Sequence, residues 1–106
     1  MHVVATFYAD ALGFAVEPHG TEEHLVVARD GLRVGVSRFA DATTTPRRPP
    51  RGSEIVLRVD DVDAEHARVV ASGHALADDL QQRPWGLVDF RVLDPTGQYV
   101  RVTSRR

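Results

Sequence analysis

Residues 83–102, RPWGLVDFRVLDPTGQYVRV, carry the reading on which the fold turns. Residues 87–93 alternate apolar and polar side chains, Asp94-Pro95-Thr96-Gly97 supplies a turn, and residues 98–104 alternate again. Two such runs around a Pro- and Gly-containing turn predict paired strands with one apolar face. Upstream, past the loop QQRPWG, residues 74–80 read as a short strand and residues 64–72 as a helix ended by Gly73. Asp60, Asp61 and Asp63 stand at the helix start, where carboxylates cap free N–H groups and match the helix dipole. Before them, residues 54–59 form an alternating, β-branched strand. The second half is therefore strand, helix and three strands.

The first half repeats most of that order. Val4, Phe7, Tyr8, Ala11 and Leu12 follow a helical period stopped by Gly13, a residue suited to the position after a helix. Short strands are predicted at 14–17, ended by Pro18, at 24–29, and at 32–39 after an Asp30-Gly31 hairpin turn. Gly13 aligns with Gly73 at an offset of 60, and Gly31 with Gly97 at an offset of 66. The difference of six falls at QQRPWG. At the offset of 60 the counterpart of strand 54–59 precedes residue 1, so the halves read as αβββ and βαβββ. Residues 40–52, ADATTTPRRPPRG, are poor in apolar side chains and read as an extended linker. The predicted organisation is one domain over 1–106, with module one at 1–39, the linker at 40–52 and module two at 53–106.

Composition closes several function classes. The 106 residues include 42% hydrophobic and 26% charged residues, as expected of a globular domain long enough to bury a core. No cysteine is present, which removes disulfides, thiolate nucleophiles and Cys-type metal sites. Thirteen arginines against fifteen carboxylates give a net charge of −2, with no general attraction to nucleic acid. Neither a long apolar run nor a signal-like N-terminus is visible, so no membrane span and a cytoplasmic location are expected. His2, His19, His24, His66 and His74 share no metal-binding spacing, and the three aspartates lack the glycine and distal glutamate of a calcium loop. No nucleophile-elbow, P-loop or dinucleotide glycine motif is found. Arg47, Arg48 and Arg51 read as a solvated part of the linker.

FYADALGF (7–14), VDDVDAEHARVVASG (59–73) and RPWGLVDFRVLDPTGQYVRV (83–102) resemble the vicinal oxygen chelate superfamily, which contains glyoxalase I, extradiol dioxygenases, fosfomycin-resistance enzymes and bleomycin-resistance proteins. PWG followed by an aromatic strand and DPTG is most similar to the bleomycin-resistance branch. The resemblance implies an α+β fold: two βαβββ modules forming a curved mixed sheet around a cleft, helices on the convex side, usually completed by dimerisation, with the first module lacking its opening strand. Periodicity agrees, placing Val34/Val36, Ile55/Leu57/Val59, Val88/Phe90/Val92 and Val100/Val102 on apolar faces. The opposite faces carry Arg33/Gly35/Ser37, Glu54/Val56/Arg58, Asp89/Arg91 and Tyr99/Arg101/Thr103.

The resemblance also implies four metal-ligand positions, on the opening and closing strand of each module. The first opening strand is missing, and the other three positions hold Gly35, Glu54 and Arg101. One donor does not make a divalent site, and a guanidinium repels the ion. No cofactor and no metal are therefore expected. Glu54 and Arg101 read either as an ion pair in place of the metal or as direct ligand contacts, and a lone acid–base role for Glu54 stays open. Trp85, the only tryptophan, reads as a stacking surface for a planar ligand or as a plug or dimer contact. The expected site is Trp85, Glu54, Arg101, Arg58 and Tyr99. The expected function is metal-free binding of a small organic molecule, an antibiotic or metabolite, in the cleft of a homodimer, which would also cover the sheet edge left by the missing strand. The alternatives are a metal-dependent lyase, isomerase or dioxygenase whose ligand comes from the missing strand or another chain, and a scaffold without ligand.

Overall fold

A computed structural model of the chain describes residues 2–38 and 53–105. The linker expected at 40–52, with its three arginines, and the end of the strand expected to reach residue 39 lie outside them. The elements run α1 (His2–Asp10), β1 (Ala15–Val16), β2 (His24–Arg29), β3 (Leu32–Ser37), β4 (Ile55–Val59), α2 (Val62–Ser72), β5 (Leu76–Gln82), β6 (Val88–Leu93) and β7 (Tyr99–Ser104). This is the α+β order αβββ then βαβββ. Hydrogen bonding groups the strands into β1-β2-β3 and β4-β7-β6-β5. The first sheet is antiparallel. In the second, β4 runs parallel to β7 while β7–β6 and β6–β5 are antiparallel, so this sheet is mixed. Among the described residues β3 pairs with β2 alone and β4 with β7 alone.

The repeat is visible in backbone geometry. Gly13 and Gly73 both follow a helix at positive φ, 70° and 82°, and Gly31 and Gly97 both turn into a closing strand at 84° and 89°. Asp30 at φ 51° precedes Gly31, as a two-residue hairpin turn with two left-handed positions requires. The helix predicted from residue 64 begins at Val62, because Asp61 is the cap rather than a preceding loop residue: its carboxylate accepts from the Ala64 N–H at 3.0 Å. Strand β5 runs to Gln82, two residues beyond expectation. Pairing of Gln82 with Val88 and the Arg83 N–H to Leu87 O bond (2.7 Å) carry it into the hairpin.

One apolar core joins the halves. Phe7, Tyr8, Ala11 and Leu12 from the α1 region, Leu25 and Val27 from β2, Leu57 and Val59 from β4, Val62 and Val69 from α2, Phe90 and Val92 from β6, and Val100 and Val102 from β7 are buried together. The predicted apolar faces of the strands thus turn to the helices. Tyr8 meets both Phe7 and Phe14 edge to face, with ring centroids 5.4 Å apart in each case, the arrangement favoured by the ring quadrupole. Two polar links reinforce the join. The Tyr8 hydroxyl donates to Asp94 at 2.6 Å, and Arg29 of β2 grips Glu65 of α2 through two bonds of 2.9 and 2.6 Å.

Candidate functional site

With their apolar sides on the helices, β4, β7, β6 and β5 turn a charged, partly buried face away from them. Strand register arranges it in rows: Val56, Arg101, Arg91 and Asp78 face one another across the four strands, and Arg58, Thr103, Asp89 and Gln81 form the next row. Glu54, just before β4, lies two residues from Val56 on the same face by alternation.

Opposite charges interlock across this face. Arg83, at the end of β5, donates to Asp89 Oδ1 (2.7 Å) and to Asp78 Oδ2 (2.6 Å). Arg91 donates to the same Asp78 oxygen (3.1 Å) and to Glu54 Oε2 (3.0 Å). The hydrogen bond from Arg83, with smaller help from Arg91, holds the Asp78 carboxyl below its ordinary pKa despite partial desolvation. Arg101 is engaged differently. Its Nε lies 3.4 Å from Glu54 Oε1 and its Nη1 lies 4.0 Å from Asp89 Oδ2, yet Nε and Asp89 Oδ2 are both buried without a hydrogen bond. Asp89 is fully buried, a costly place for an open lone pair.

Four of the five expected site residues therefore share one face, and Glu54 and Arg101 meet as an ion pair. Arg58 is exposed on this face, while Tyr99, two residues before Arg101, is buried. Trp85 departs from one of its readings. It sits in the turn between β5 and β6, closed by the Gly86 N–H to Arg83 O bond of 3.0 Å, and its side chain is 61% exposed. It is not a core plug, because the short turn projects it past the end of the hairpin. Sequence reasoning left out Asp78 and Arg83, which complete the network. The alternation that placed Asp89 and Arg91 on this face breaks down along LADDLQQ, where register shifts interrupt the β5–β6 pairing.

The first sheet offers a sparser polar face. Arg33 and Glu17 form a two-bond pair (2.8 and 2.7 Å), His24 Nδ1 and Ser37 Oγ are 2.7 Å apart, and Gly35 occupies the place of Arg101. An open depression lies elsewhere, between α1 and the β1–β2 region, lined by residues including His2, Val16, Glu17 and Leu25.

The divalent ion that the resemblance implies does not fit these residues. Gly35 and Arg101 bring no donor, and both oxygens of Glu54 face arginines. Among the described residues no three His, Asp or Glu side chains are grouped to hold a metal. No helix there is long and apolar enough to cross a membrane.

Two cross-linked modules with a charged outer face define a class, and comparison agrees: the chain belongs to the glyoxalase-like domain family, whose model matches residues 1–103. Among solved structures it is similar to TioX from Micromonospora sp. ML1, with 26% identity, a TM-score of 0.73, and coverage of 94% of this chain and 85% of that one. The fold is also that of a glyoxalase/bleomycin resistance protein/dioxygenase from Alicyclobacillus acidocaldarius (14% identity, TM-score 0.80, covering 98% and 82%). A lactoylglutathione lyase from Agrobacterium tumefaciens is comparable (17%, TM-score 0.74, covering 98% and 84%). No curated protein matches the sequence.

Proposed function

We propose that the chain is a metal-free binding protein that sequesters a small organic molecule, an antibiotic or a metabolite, on the charged face of the second sheet. The observation that carries this reading is the engagement of Glu54, the one carboxylate at the inferred ligand positions, by Arg91 and Arg101. A carboxylate shared between two guanidiniums is a poor metal donor, because the ion would have to displace charge-assisted contacts and sit beside a fixed positive charge. The site residues in this reading are Glu54, Arg101, Arg58 and Tyr99, with Trp85 at the rim as an aromatic surface for the ligand or the second subunit. The whole chain acts as one unit in the cytoplasm, and a homodimer completes the cleft. Among the described residues β3 is paired on one side only, which supports pairing, since unpaired strand edges invite a partner.

Elemental analysis of the dialysed protein tests the metal-free reading directly. Zinc, nickel, manganese and iron should all be far below stoichiometric, and one tightly held ion per chain would overturn it. Sedimentation at micromolar concentration should give a dimer, whereas a monodisperse monomer removes the second subunit from the site.

A further inference from the structure

Among the described residues of the charged face, two arginines are held by hydrogen bonds to carboxylates and two are not. Arg83 and Arg91 each donate to two carboxylates. Arg101, whose side chain is only 25% exposed, has ion contacts of 3.4 and 4.0 Å but no hydrogen bond among the described residues. Arg58 has neither. A guanidinium carries five donors, so leaving a largely buried one without an aligned acceptor forgoes interactions that its neighbours achieve.

The two arginines are close by register. Arg101 stands opposite Val56 and Arg58 opposite Thr103 on the parallel strands β4 and β7, which makes them diagonal neighbours about 8 Å apart at the backbone, given a strand spacing of about 4.8 Å and a rise of about 3.3 Å per residue. The carboxylates cannot serve both. Glu54 and Asp78 have their oxygens engaged by Arg91, Arg83, Arg101 and Gln81, and the free oxygen of Asp89 is buried. Among the described residues, Arg58, Arg83, Arg91 and Arg101 face three carboxylates, Glu54, Asp78 and Asp89, and Asp60 is matched by Arg105, leaving one positive charge in excess. Val56, 37% exposed, supplies an apolar surface in the row of Arg101.

We infer that the ligand is an organic monocarboxylate, its carboxylate taken between Arg58 and Arg101 and its apolar body laid against Val56. This deepens the binding reading above and rests on it. A carboxylate matches the planar guanidinium fork and accepts from two donors at once, and a single negative charge neutralises the face.

The test uses the full-length protein and three probes of one shape: benzoate, benzamide and benzylamine. Each is titrated while the side-chain Nε–H resonances of the arginines and the backbone amides of β4 and β7 are followed by NMR. Benzoate should move the Arg58 and Arg101 signals and bind about tenfold more tightly than benzamide, the scale of a charge-assisted hydrogen bond. The exposed Arg58→Gln variant should stay folded and bring benzoate down to the level of benzamide. Equal binding of benzoate and benzamide, a preference for benzylamine, or benzoate binding unchanged in Arg58→Gln would overturn the inference while leaving the face a binding site. If none of the three probes moves any resonance of β4 or β7 at millimolar concentration, the binding reading falls with it.

Discussion

At the residue scale, Asp94 holds two parts of the molecule with its two oxygens. Oδ1 accepts from the Thr96 N–H (2.8 Å), the Thr96 hydroxyl (2.6 Å) and the Gln98 N–H (2.9 Å), which builds the turn into β7. Oδ2 accepts a hydrogen bond from the Tyr8 hydroxyl of α1. Tyr8 is fully buried, so Tyr8→Phe keeps the ring but strands a buried carboxylate oxygen, at a cost of about 1.5–3 kcal/mol in urea unfolding. Burial first, and then the Asp94 charge, raise the Tyr8 pKa above its ordinary 10.0. The folded state therefore keeps a proton that the unfolded chain releases. The Tyr8 contribution is complete below about pH 10 and is lost above it by about 1.4 kcal/mol per pH unit. Comparing unfolding at pH 9 and pH 11 should find this part of the alkaline loss in the wild type and not in Tyr8→Phe. The sequence marked Asp94 as a turn residue and Tyr8 as part of a helical period, but no periodicity links positions 86 residues apart.

At the element scale, α2 has clear punctuation at both ends. Asp61 caps its start, Asp63 and Glu65 lie in the first turn, and Gly73 at φ 82° sends its N–H back to Val70 O at 3.1 Å. Asp61→Ala should cost about 1 kcal/mol, the usual value of an N-cap, read as a lower midpoint in thermal or urea unfolding. The acidic trio announced this helix start, but which aspartate caps depends on backbone angles that composition does not fix. Asp60 instead takes Arg105 at 2.7 Å. Strands β4, β6 and β7 were legible because apolar residues recur at every second position, Ile55/Leu57/Val59, Val88/Phe90/Val92 and Val100/Val102, and with them the face holding Glu54, Arg58, Arg101 and Tyr99. Strand β5 was legible only in part, since LADDLQQ has no β-branched residue and takes its pairing from β6. That is why Asp78 and Arg83 escaped the sequence reading of the site.

At the scale of the whole molecule, the two modules are held by a largely buried ion pair. Arg29 and Glu65 are 14% and 13% exposed, and Arg29 also donates to Leu12 O at 2.6 Å. Glu65→Ala should cost about 1–3 kcal/mol, because it leaves a partly desolvated guanidinium with only the Asp30 carboxylate and the Leu12 carbonyl as partners. The double variant Arg29→Met with Glu65→Ala should recover part of that loss, measured by the same unfolding assay. The repeat itself was legible from paired glycines, whereas the cross-links between its halves were not.

The shared core also has a consequence for how the chain comes apart. Phe7 and Tyr8 belong to one copy of the repeat and Phe90 and Val102 to the other, yet all are buried in the same cluster. Neither copy encloses an interior of its own. The two halves of the repeat are thus indivisible: heat or denaturant should take both through a single transition, and a protease gains no folded half to release.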